Sequence, residues 1–339
     1  MIDPSFPLID LHRHLDGNVR LRTILELADQ HGIPLPADDE ESLRPFVQVT
    51  DPQPGVMAFL EKFRYMVGVL ADYEACRRVA YENVLDAQGE GLDYVELRFS
   101  PLFMAEPHHL HPQGVVEAVI DGVEAGRRET GMKVNLIGIL SRTYGQELAW
   151  KELEALLAFA DKLVAVDLAG DEVNYPGEWF TEHLEKARQR GLRLTVHAGE
   201  SAGASSVWQA VQALRAERLG HAVHASEDPH LMDTLADRGI GIEANLTSNV
   251  QTSTVSNYAA HPLRQFLAKG LLATINTDDP GISAIDLRYE YEVAAPAAGL
   301  SAEQIAQAQR NAMTVAFLTP EEKETLLVRK QEESRKGTS

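Results

Sequence analysis

Eight short runs of apolar and β-branched residues recur along the chain, and helix-like stretches separate most of them. From the second run on, each gap leaves room for one strand, one helix and two short loops. Strand alternating with helix eight times predicts a TIM-type (β/α)8 barrel of the α/β class, and we expect residues 1–330 to form one domain. The predicted strands cover residues 8–14, 94–100, 134–141, 163–169, 193–198, 218–223, 240–247 and 271–277.

An open, doubly wound sheet is the structural alternative to the barrel. Such a sheet usually carries a glycine-rich phosphate-binding turn directly after its first strand. The first predicted strand ends in the sequence His14-Leu-Asp-Gly17, which lacks that turn. The pattern therefore favours the barrel.

The gap between the first two runs, residues 15–93, is too long for one helix. It combines a proline- and acid-rich stretch with three helical patterns, so we predict a helical insertion after the first strand. Phe59, Leu60 and Phe63 recur there at helical spacing, which is typical of core residues. An insertion at a strand exit also lies over the site face of a barrel, so these side chains are candidates for an apolar pocket wall. The predicted helices cover residues 19–30, 56–70 and 73–89.

The end of the chain carries two helix-start patterns, at residues 301–304 and 319–322, the second with Pro320 at the first helical position. They predict extra C-terminal helices that close the barrel. Residues 331–339 are charged and small, and we expect them to form a frayed tail.

Composition narrows the possible partners. The formal net charge of -20 argues against binding a nucleic acid, which needs clustered Lys and Arg, and fits a neutral or cationic small substrate. No apolar run approaches the roughly 18 residues that span a bilayer, so we expect no membrane association. Cys76 is the only cysteine, which excludes a disulfide within the chain. No signal peptide is evident, so we expect a cytoplasmic location, whereas the oligomeric state stays open.

Side chains that can bind a metal or transfer a proton lie at the carboxyl ends of four of the predicted strands. A barrel of this kind carries its reactive groups at these ends. Alternation along the first strand puts two imidazoles on one side, and after the fifth strand a histidine and a carboxylate flank a glycine turn. This combination predicts a catalytic metal with an acid beside it, although one such pair alone would fit an ordinary loop equally well. The residues are His12 and His14, His197 and Glu200, His221, and Asp278 and Asp279.

Seven motifs are spread over nearly the whole chain: Asp10-Leu-His-Arg-His-Leu-Asp-Gly17, Tyr94-Val-Glu-Leu-Arg-Phe-Ser-Pro101, Val166-Asp-Leu-Ala-Gly-Asp-Glu172, Thr195-Val-His-Ala-Gly-Glu200, Leu219-Gly-His221, Leu246-Thr-Ser-Asn249 and Asn276-Thr-Asp-Asp-Pro280. Together and in this order they resemble the adenosine deaminase family of metal-dependent amidohydrolase barrels. Two neighbouring positions depart from the family's pattern. Ala222 stands where glycine is usual, and Asn245-Leu246 stand where a Cys-Pro-like pair is usual.

The resemblance implies hydrolytic deamination of adenosine, and of 2'-deoxyadenosine, to inosine plus ammonia. It implies that Glu200 acts as a proton shuttle, while His221 and Asp278 orient the water that attacks C6 of the purine. A partly buried carboxyl such as Glu200 has a raised pKa, which suits it to donate a proton. The resemblance also implies one Zn²⁺ per chain, with the ligands His12, His14, His197 and Asp278.

The resemblance further implies that the nucleoside contacts His14, Asp16, Gly170 and Asp279, and that the insertion supplies part of the purine pocket. Gly170 has no side chain and would let the backbone approach the purine edge. Asp16 can accept a hydrogen bond from a ribose hydroxyl and would repel a phosphate. The alternative for Asp16 is that it caps a turn or helix beginning near Asn18.

Two other functions remain open at this point. The same scaffold could deaminate free adenine or a modified adenine nucleotide instead of a nucleoside. A barrel that keeps a metal for structure or partner binding, without turnover, belongs to a different class. Glu200 would be useless in a purely structural site, so its presence argues against that second reading.

The remaining histidines and one arginine have no assigned role. His108, His109 and His111 crowd a proline-flanked loop that could bind metal adventitiously, but a solvated loop is the expectation. Arg98 is either a buried ion-pair partner or a support for a site residue, and the sequence does not choose. We expect surface or helix-end positions for His31, His183, His224, His230 and His261.

Overall fold

The computed structural model describes residues 2–337, and in it eight parallel strands follow one another in sequence order. Neighbouring strands pair in register, with Tyr94 beside Lys133 and Ala165 beside Arg193. The predicted TIM-type (β/α)8 barrel is confirmed. The strands are β1 (Ile9–His14), β2 (Tyr94–Phe99), β3 (Lys133–Ser141), β4 (Ala165–Ala169), β5 (Arg193–Ala198), β6 (Arg218–His221), β7 (Gly241–Ala244) and β8 (Leu272–Ile275).

The segment after β8 closes the barrel against β1. The backbone nitrogen of His14 donates to the carbonyl oxygen of Asp278 at 2.7 Å, and the nitrogen of Asp278 donates to the carbonyl oxygen of His12 at 2.8 Å. Arg13 and Asp278 thereby form an isolated parallel bridge. The residues that close the barrel are therefore candidate site residues, or lie next to one in the chain.

Helices of very different length connect the strands. The α-helices are α1 (Leu21–His31), α2 (Glu40–Val47), α3 (Val56–Leu60), α4 (Arg64–Gly68), α5 (Tyr73–Gly89), α6 (Pro101–Ala105), α7 (Pro112–Thr130), α8 (Gly145–Leu157), α9 (Thr181–Gln189), α10 (Ala204–Gln212), α11 (Pro229–Arg238), α12 (Leu246–Gln251), α13 (Leu263–Ala268), α14 (Pro280–Ser283), α15 (Leu287–Tyr289), α16 (Ala295–Ala297), α17 (Ala302–Val315) and α18 (Pro320–Gly337). Short 3₁₀ helices lie at Glu61–Phe63, Glu106–His108, Arg142–Tyr144, Ala160–Lys162, Gly177–Phe180, Val223–Glu227 and Tyr258–Ala260, and a π-helix lies at Glu290–Ala294.

Helices α1 to α5 occupy the predicted insertion between β1 and β2. Helix α1 begins at Leu21 rather than at residue 19, because Arg20 has a ψ of 137°, outside the helical range. The proline- and acid-rich stretch contains α2, which the sequence pattern did not predict. Asp39 caps α2 by accepting a hydrogen bond from the backbone nitrogen of Ser42 at 2.9 Å.

A network of buried charged side chains crosses the barrel interior. Arg218 pairs with Glu96 and, at 2.7 Å, with Glu243. Arg98 pairs with Asp167 at 2.8 Å and with Glu243 at 2.7 Å. Buried charges persist only when they are paired and hydrogen-bonded, so these contacts explain how apolar strands accommodate charged residues.

The C-terminal helices pack as the sequence predicts, but they extend further. Ser301 and Gln304 form a capping box at the start of α17. Helix α18 runs to Gly337, so the expected fraying of residues 331–337 is wrong, and an Arg329–Glu333 ion pair of 2.9 Å supports its last turns. Residues 338 and 339 of the expected tail lie outside the described part of the chain. Within residues 2–337, every helix is too short or too polar to cross a membrane.

Candidate active site and metal centre

The ends of β1, β5 and β6 and the segment after β8 bring five polar side chains into one cluster. The Nε2 atoms of His12 and His14 lie 3.0 Å and 3.4 Å from Oδ1 of Asp278. The Nε2 atoms of His14 and His197 are 3.4 Å apart. Nε2 of His221 lies 3.7 Å from the other carboxylate oxygen of Asp278. All five were candidates from the sequence, and the structure brings them together.

Carboxylates behind the cluster orient two of the histidines. Nδ1 of His12 lies 2.7 Å from Oε2 of Glu243, and Nδ1 of His197 lies 2.9 Å from Oδ2 of Asp167. Because a carboxylate accepts, each ring carries its proton on Nδ1 and turns the lone pair of Nε2 toward the cluster. Nε2 of His12 is buried and, although it lies 3.0 Å from Oδ1 of Asp278, it makes no hydrogen bond. This carboxylate–histidine arrangement is typical of metal ligands, so the donor set fits a metal ion.

Gly220 makes room for the cluster. A Cβ atom at this position would lie 2.9 Å from Cε1 of His12 and 3.3 Å from the ring of His197. Real Cβ contacts are rarely this short, so any side chain here would push the two imidazoles apart. The glycine in the Leu219-Gly-His221 motif is therefore required by packing.

The two adjacent carboxyls after β8 have pKa values shifted in opposite directions. Asp278 has a left-handed backbone, with φ of 65°, which is uncommon for a non-glycine residue and occurs at functional sites. Burial alone would raise the pKa of Asp278, but the neighbouring histidines hold it well below its usual range. Burial and the charge of Asp278 raise the pKa of Asp279 well above its ordinary value. Asp278 is therefore suited to be an anionic ligand, and Asp279 a neutral carboxyl.

Two overlapping groups of side chains among the described residues could hold a metal ion. They share Asp278, and each contains one or more of the cluster's histidines. Burial lowers the pKa of His14, but Asp279, Asp16 and Asp278 together raise it to about 9, so this position favours positive charge. The first group is His12, His197, His221 and Asp278, and the second is His14, Asp278 and Asp279.

Glu200 follows His197 by three residues on a loop that Glu172 holds in place. The carboxylate of Glu172 accepts hydrogen bonds from four successive backbone nitrogens, those of residues 199–202. Burial raises the pKa of Glu200 to about 8, and the charges of Asp278 and Glu172 add to this shift. A carboxyl that titrates near neutral pH can both give and take a proton.

A cavity of about 270 Å³ opens over the cluster. Its lining includes the three insertion residues expected to form an apolar wall, Phe59, Leu60 and Phe63. The ring of Phe63 packs edge-on against Phe59 and Phe103, with centroids 6.3 Å and 5.6 Å away. An apolar wall over a few convergent polar groups is the usual composition of a small-molecule site.

Asp16 and Gly170 also line the cavity. Oδ2 of Asp16 accepts a hydrogen bond from the backbone nitrogen of Ser100 at 3.1 Å, whereas its Oδ1 is buried without a hydrogen-bond partner. Asp16 does not cap a helix, because α1 begins at Leu21. Gly170 has a φ of 106°, and a Cβ there would lie 2.5 Å from Oγ1 of Thr143, so only glycine fits.

Comparison with known proteins decides the family. The sequence profile named adenosine deaminase matches residues 7–332. The chain belongs to the adenosine deaminase family. It is 58% identical over 331 residues to the adenosine deaminase of Edwardsiella ictaluri, covering 98% of this chain and 99% of that one. It is 58% identical over 327 residues to that of Pseudoalteromonas translucida, covering 96% and 98%. The resemblance inferred from the seven motifs is confirmed.

Solved structures related to this family member share the barrel. The adenine deaminase of Arthrobacter aurescens superposes with a TM-score of 0.89 at 26% identity, covering 97% of this chain and 99% of that one. The N6-methyl-AMP deaminase of Arabidopsis thaliana superposes with a TM-score of 0.82 at 26% identity, covering 98% of each chain. These two are named for other adenine compounds, so substrate choice depends on particular pocket residues rather than on the fold.

The two departures from the family's motifs lie beside His221. Ala222 has a left-handed backbone with φ of 50°, which costs a non-glycine residue roughly 1–2 kcal/mol and explains why the family usually has glycine there. Asn245 places its side-chain nitrogen 3.3 Å from Nδ1 of His221. This departure therefore brings an amide into contact with a candidate catalytic ring.

Sequence reasoning missed three acidic residues that support the site, Asp167, Glu243 and Glu172. The first two are single carboxylates inside otherwise apolar parallel strands, where an unpaired charge is unstable, and that signal could have found them. Asp167 and Glu172 both stand in the motif that ends at Glu172, but the motif alone gives neither a role, and the loop around Glu172 carries no comparable physical signal. Arg98 contacts both Asp167 and Glu243, so it is a buried ion-pair partner that also supports the histidines these carboxylates orient.

Two histidines expected at surface or helix-end positions are buried at helix ends. His183 and His261 are 2% and 3% exposed, and they lie in the first turn of α9 and directly after the 3₁₀ helix at Tyr258–Ala260. His183 stacks on Trp150 with ring centroids 4.0 Å apart, which compensates the burial of its neutral ring. The histidines at 108–111 belong to neither metal-binding group found in the described part of the chain.

Proposed function

We propose that this protein catalyses the hydrolytic deamination of adenosine, and of 2'-deoxyadenosine, to inosine plus ammonia. The observation that carries the proposal is Glu200, a buried carboxyl whose pKa burial raises to about 8, beside a cluster of metal-ligand type in one cavity. Displacing an amine from an electron-poor ring needs a proton donor next to a strong nucleophile, and this site combines the two. The bacterial relatives at 58% identity are named for this activity.

The metal in this proposal is one Zn²⁺ per chain, held by His12, His14, His197 and Asp278. Imidazole nitrogens and a carboxylate oxygen are ligands that zinc commonly takes in proteins. When bound, zinc acts as a Lewis acid and lowers the pKa of a water at the site toward about 7. The histidines around Asp278 hold its pKa low, so its carboxylate is ionised at neutral pH and can serve as the anionic ligand.

Glu200 moves the protons of the reaction. Its protonated carboxyl donates to the ring nitrogen beside C6, which lets C6 accept the oxygen of the attacking water. The carboxylate left on Glu200 takes a proton from that water and passes it to the amino group. The C–N bond then breaks and ammonia leaves. The oxygen on C6 returns the second proton of the water to the Glu200 carboxylate and becomes the carbonyl of inosine, while the ring nitrogen keeps the proton it received. His221 and Asp278, 3.7 Å apart, orient the water on the side of the cluster.

Four polar positions hold the nucleoside in this proposal. The unpaired Oδ1 of Asp16 accepts a hydrogen bond from a ribose hydroxyl, and His14 lies 3.6 Å from it. Asp279, whose pKa burial and Asp278 raise, donates a hydrogen bond to a purine nitrogen. The backbone at Gly170 approaches the purine edge, and the aromatic wall of the insertion packs against the ring face.

Free adenine or a modified adenine nucleotide is the second candidate substrate, since solved structures with those names share the fold. Asp16 argues against both. Free adenine would leave its buried Oδ1 unpaired, and a phosphate would be repelled by its carboxylate.

Ultraviolet spectra of the purified, zinc-loaded protein test this function. We expect adenosine and 2'-deoxyadenosine to be converted to the hypoxanthine chromophore much faster than adenine or adenosine monophosphate. The Glu200→Gln variant is the matched control for a contaminating enzyme. Faster conversion of adenine or the monophosphate would overturn the nucleoside assignment, and no conversion of any of the four would overturn the deaminase proposal.

A further inference from the structure

Two buried side chains outside the cavity connect His221 to the protein backbone. Nδ1 of His221 lies 2.9 Å from Nδ2 of Asn249, and Oδ1 of Asn249 lies 3.1 Å from Nε2 of His261. Nδ1 of His261 lies 3.1 Å from the backbone nitrogen of Leu263. All three side chains are almost fully buried. We call this series of contacts the Asn249–His261 relay.

The direction of the relay follows from its last member, because a backbone nitrogen can only donate. Leu263 donates to Nδ1 of His261, so that atom carries a lone pair and the proton of the neutral ring is on Nε2. Nε2 of His261 therefore donates to Oδ1 of Asn249. This turns the NH₂ group of Asn249 toward His221, whose Nδ1 must accept.

Both imidazoles of the relay are neutral. Burial, together with the nearby His221, lowers the pKa of His261 to about 3. Nδ1 of His221 carries no proton, because it accepts from the NH₂ group of Asn249. A proton on Nδ1 of His221 would face the NH₂ group of Asn249 at 2.9 Å. The side-chain nitrogen of Asn245 lies 3.3 Å from Nδ1 and 3.4 Å from Nε2, so it favours neither position, and Oε1 of Glu200 is 3.7 Å from Nδ1, beyond hydrogen-bond distance. The proton of His221 is therefore left on Nε2.

We infer that Asn249 and His261 are positioning residues that hold His221 as the neutral tautomer with its proton on Nε2. This N–H group faces Oδ2 of Asp278 across 3.7 Å, so His221 presents a hydrogen-bond donor to the reaction centre. His12 shows the opposite arrangement, because Glu243 accepts its Nδ1 proton and leaves the Nε2 lone pair free.

The relay also indicates which imidazoles of the two overlapping groups can bind a metal. A protonated Nε2 has no lone pair to give, so His221 is not a ligand, although it belongs to one of those groups by distance. His14 is then the third imidazole beside His12 and His197. The role of His221 in orienting water rests on the proposed function, whereas its tautomer is a property of the protein alone.

Asn249→Asp tests the inference because it has nearly the same shape and replaces the donor with an acceptor. One carboxylate oxygen still accepts from His261, and the other now accepts from Nδ1 of His221, which moves the proton of His221 to Nδ1. The protonation of each ring nitrogen is measured by ¹⁵N NMR on zinc-loaded protein with labelled histidines, and His221→Gln identifies the signals. We expect the proton on Nε2 in the wild type and on Nδ1 in Asn249→Asp. If His221 carries its proton on Nδ1 in the wild-type protein, the inference is wrong.

Two substitutions of His261 separate the relay from simple packing. In His261→Asn the shorter amide can still accept from Leu263 but does not reach Asn249, whereas in His261→Gln the amide can still donate to Asn249. We expect mixed tautomers of His221 in the first variant and the wild-type tautomer in the second. A single, wild-type tautomer in both variants would remove His261 from the inference.

Turnover and metal content show whether the tautomer matters. We expect Asn249→Asp to keep one metal per chain and to lose at least roughly tenfold in kcat, the usual scale for a residue that orients a site group. The exposed Asn257→Asp is the matched control and should change neither. A reversed tautomer with unchanged kcat would overturn the positioning role. If wild-type His221 carries its proton on Nε2 but the protein does not turn over adenosine, the proposed function is wrong and the relay still holds.

Discussion

Oε2 of Glu172 lies 3.1 Å from the backbone nitrogen of Glu200. The same carboxylate accepts hydrogen bonds from the backbone nitrogens of Gly199, Ser201 and Ala202, so one buried acid holds the loop that carries another. The negative charge of Glu172 also contributes to the raised pKa of Glu200, after burial and Asp278. Glu172 therefore affects both the position and the protonation of the proposed proton shuttle.

Replacing Glu172 with glutamine should loosen this loop. The amide of Glu172→Gln points an N–H group at backbone nitrogens that need an acceptor, so we expect a stability loss of about 2 kcal/mol or more and a fall in turnover of at least about tenfold. Thermal unfolding and steady-state kinetics measure the two effects. The exposed Glu178→Gln is the control and should change neither. Wild-type turnover in Glu172→Gln would show that Glu172 does not position Glu200.

Glu200→Gln should keep the metal and lose activity. Glutamine cannot give or take the proton, so we expect turnover to fall by at least roughly 10²-fold, the usual cost of losing a general acid. Elemental analysis and kinetics on the same sample check both expectations. Near-normal turnover would assign proton transfer to another group, and a lost metal would mean that Glu200 is itself a ligand.

Activity should depend on one tightly held metal ion per chain. We expect a chelator to abolish turnover, zinc to restore it, and His197→Ala to lose the metal, because the Asp167 carboxylate orients the ring of His197 as a ligand. Elemental analysis of each protein gives the stoichiometry. The surface variant His224→Ala should retain one metal per chain. Fully active protein without metal would contradict this prediction.

Asp16 should control the preference for a nucleoside. In Asp16→Asn the side-chain oxygen can still accept from Ser100, but a neutral amide replaces the carboxylate that faces the cavity. We expect kcat/KM on adenosine to fall about 10- to 100-fold with little change in melting temperature. Assays with adenosine and adenine side by side give the preference. An unchanged preference would mean that Asp16 does not contact the ribose.

Glu290 should make stability depend on pH. Burial raises the pKa of this carboxyl from 4.5 to about 8, and its Oε2 is buried without a hydrogen-bond partner. The folded protein therefore binds the proton of Glu290 more tightly than the unfolded chain does. The contribution of this carboxyl to the free energy of unfolding is fully present below about pH 4.5 and is lost as the pH rises to about 8. The slope is at most about 1.4 kcal/mol per pH unit for one proton.

Glu290→Gln should remove this slope, because a neutral amide does not titrate. Denaturant unfolding between pH 4.5 and 8 compares the variant with the wild type and with the exposed control Glu292→Gln. The difference in unfolding free energy between wild type and Glu290→Gln should grow with pH in favour of the variant. A constant difference across this range would show that Glu290 has an ordinary pKa.

Local patterns were sufficient for the barrel, because a strand is a run of about five residues and its helix follows at once. All eight strands form where the sequence predicts them, with ends that differ from the predicted ranges by up to three residues, whereas helix α2 was missed because Pro45 and several acids obscure its short apolar pattern. The members of the polar cluster could be predicted from the sequence in the same way. His12 and His14 share a strand face, and His221 and Asp278 stand where strands end, so each residue's location followed from its own neighbourhood.

The amino-acid sequence by itself determined which residues reach the site face, since strand alternation and chain breaks are local. Only the tertiary structure decided which side chain contacts Nδ1 of each imidazole. Glu243 contacts His12 across 231 residues of chain, and Asn249 contacts His221 across 28. No local pattern encodes such contacts, because they depend on how neighbouring strands and loops pack. These partners determine which ring nitrogen carries the proton, and hence which histidine can bind a metal and which can donate a hydrogen bond.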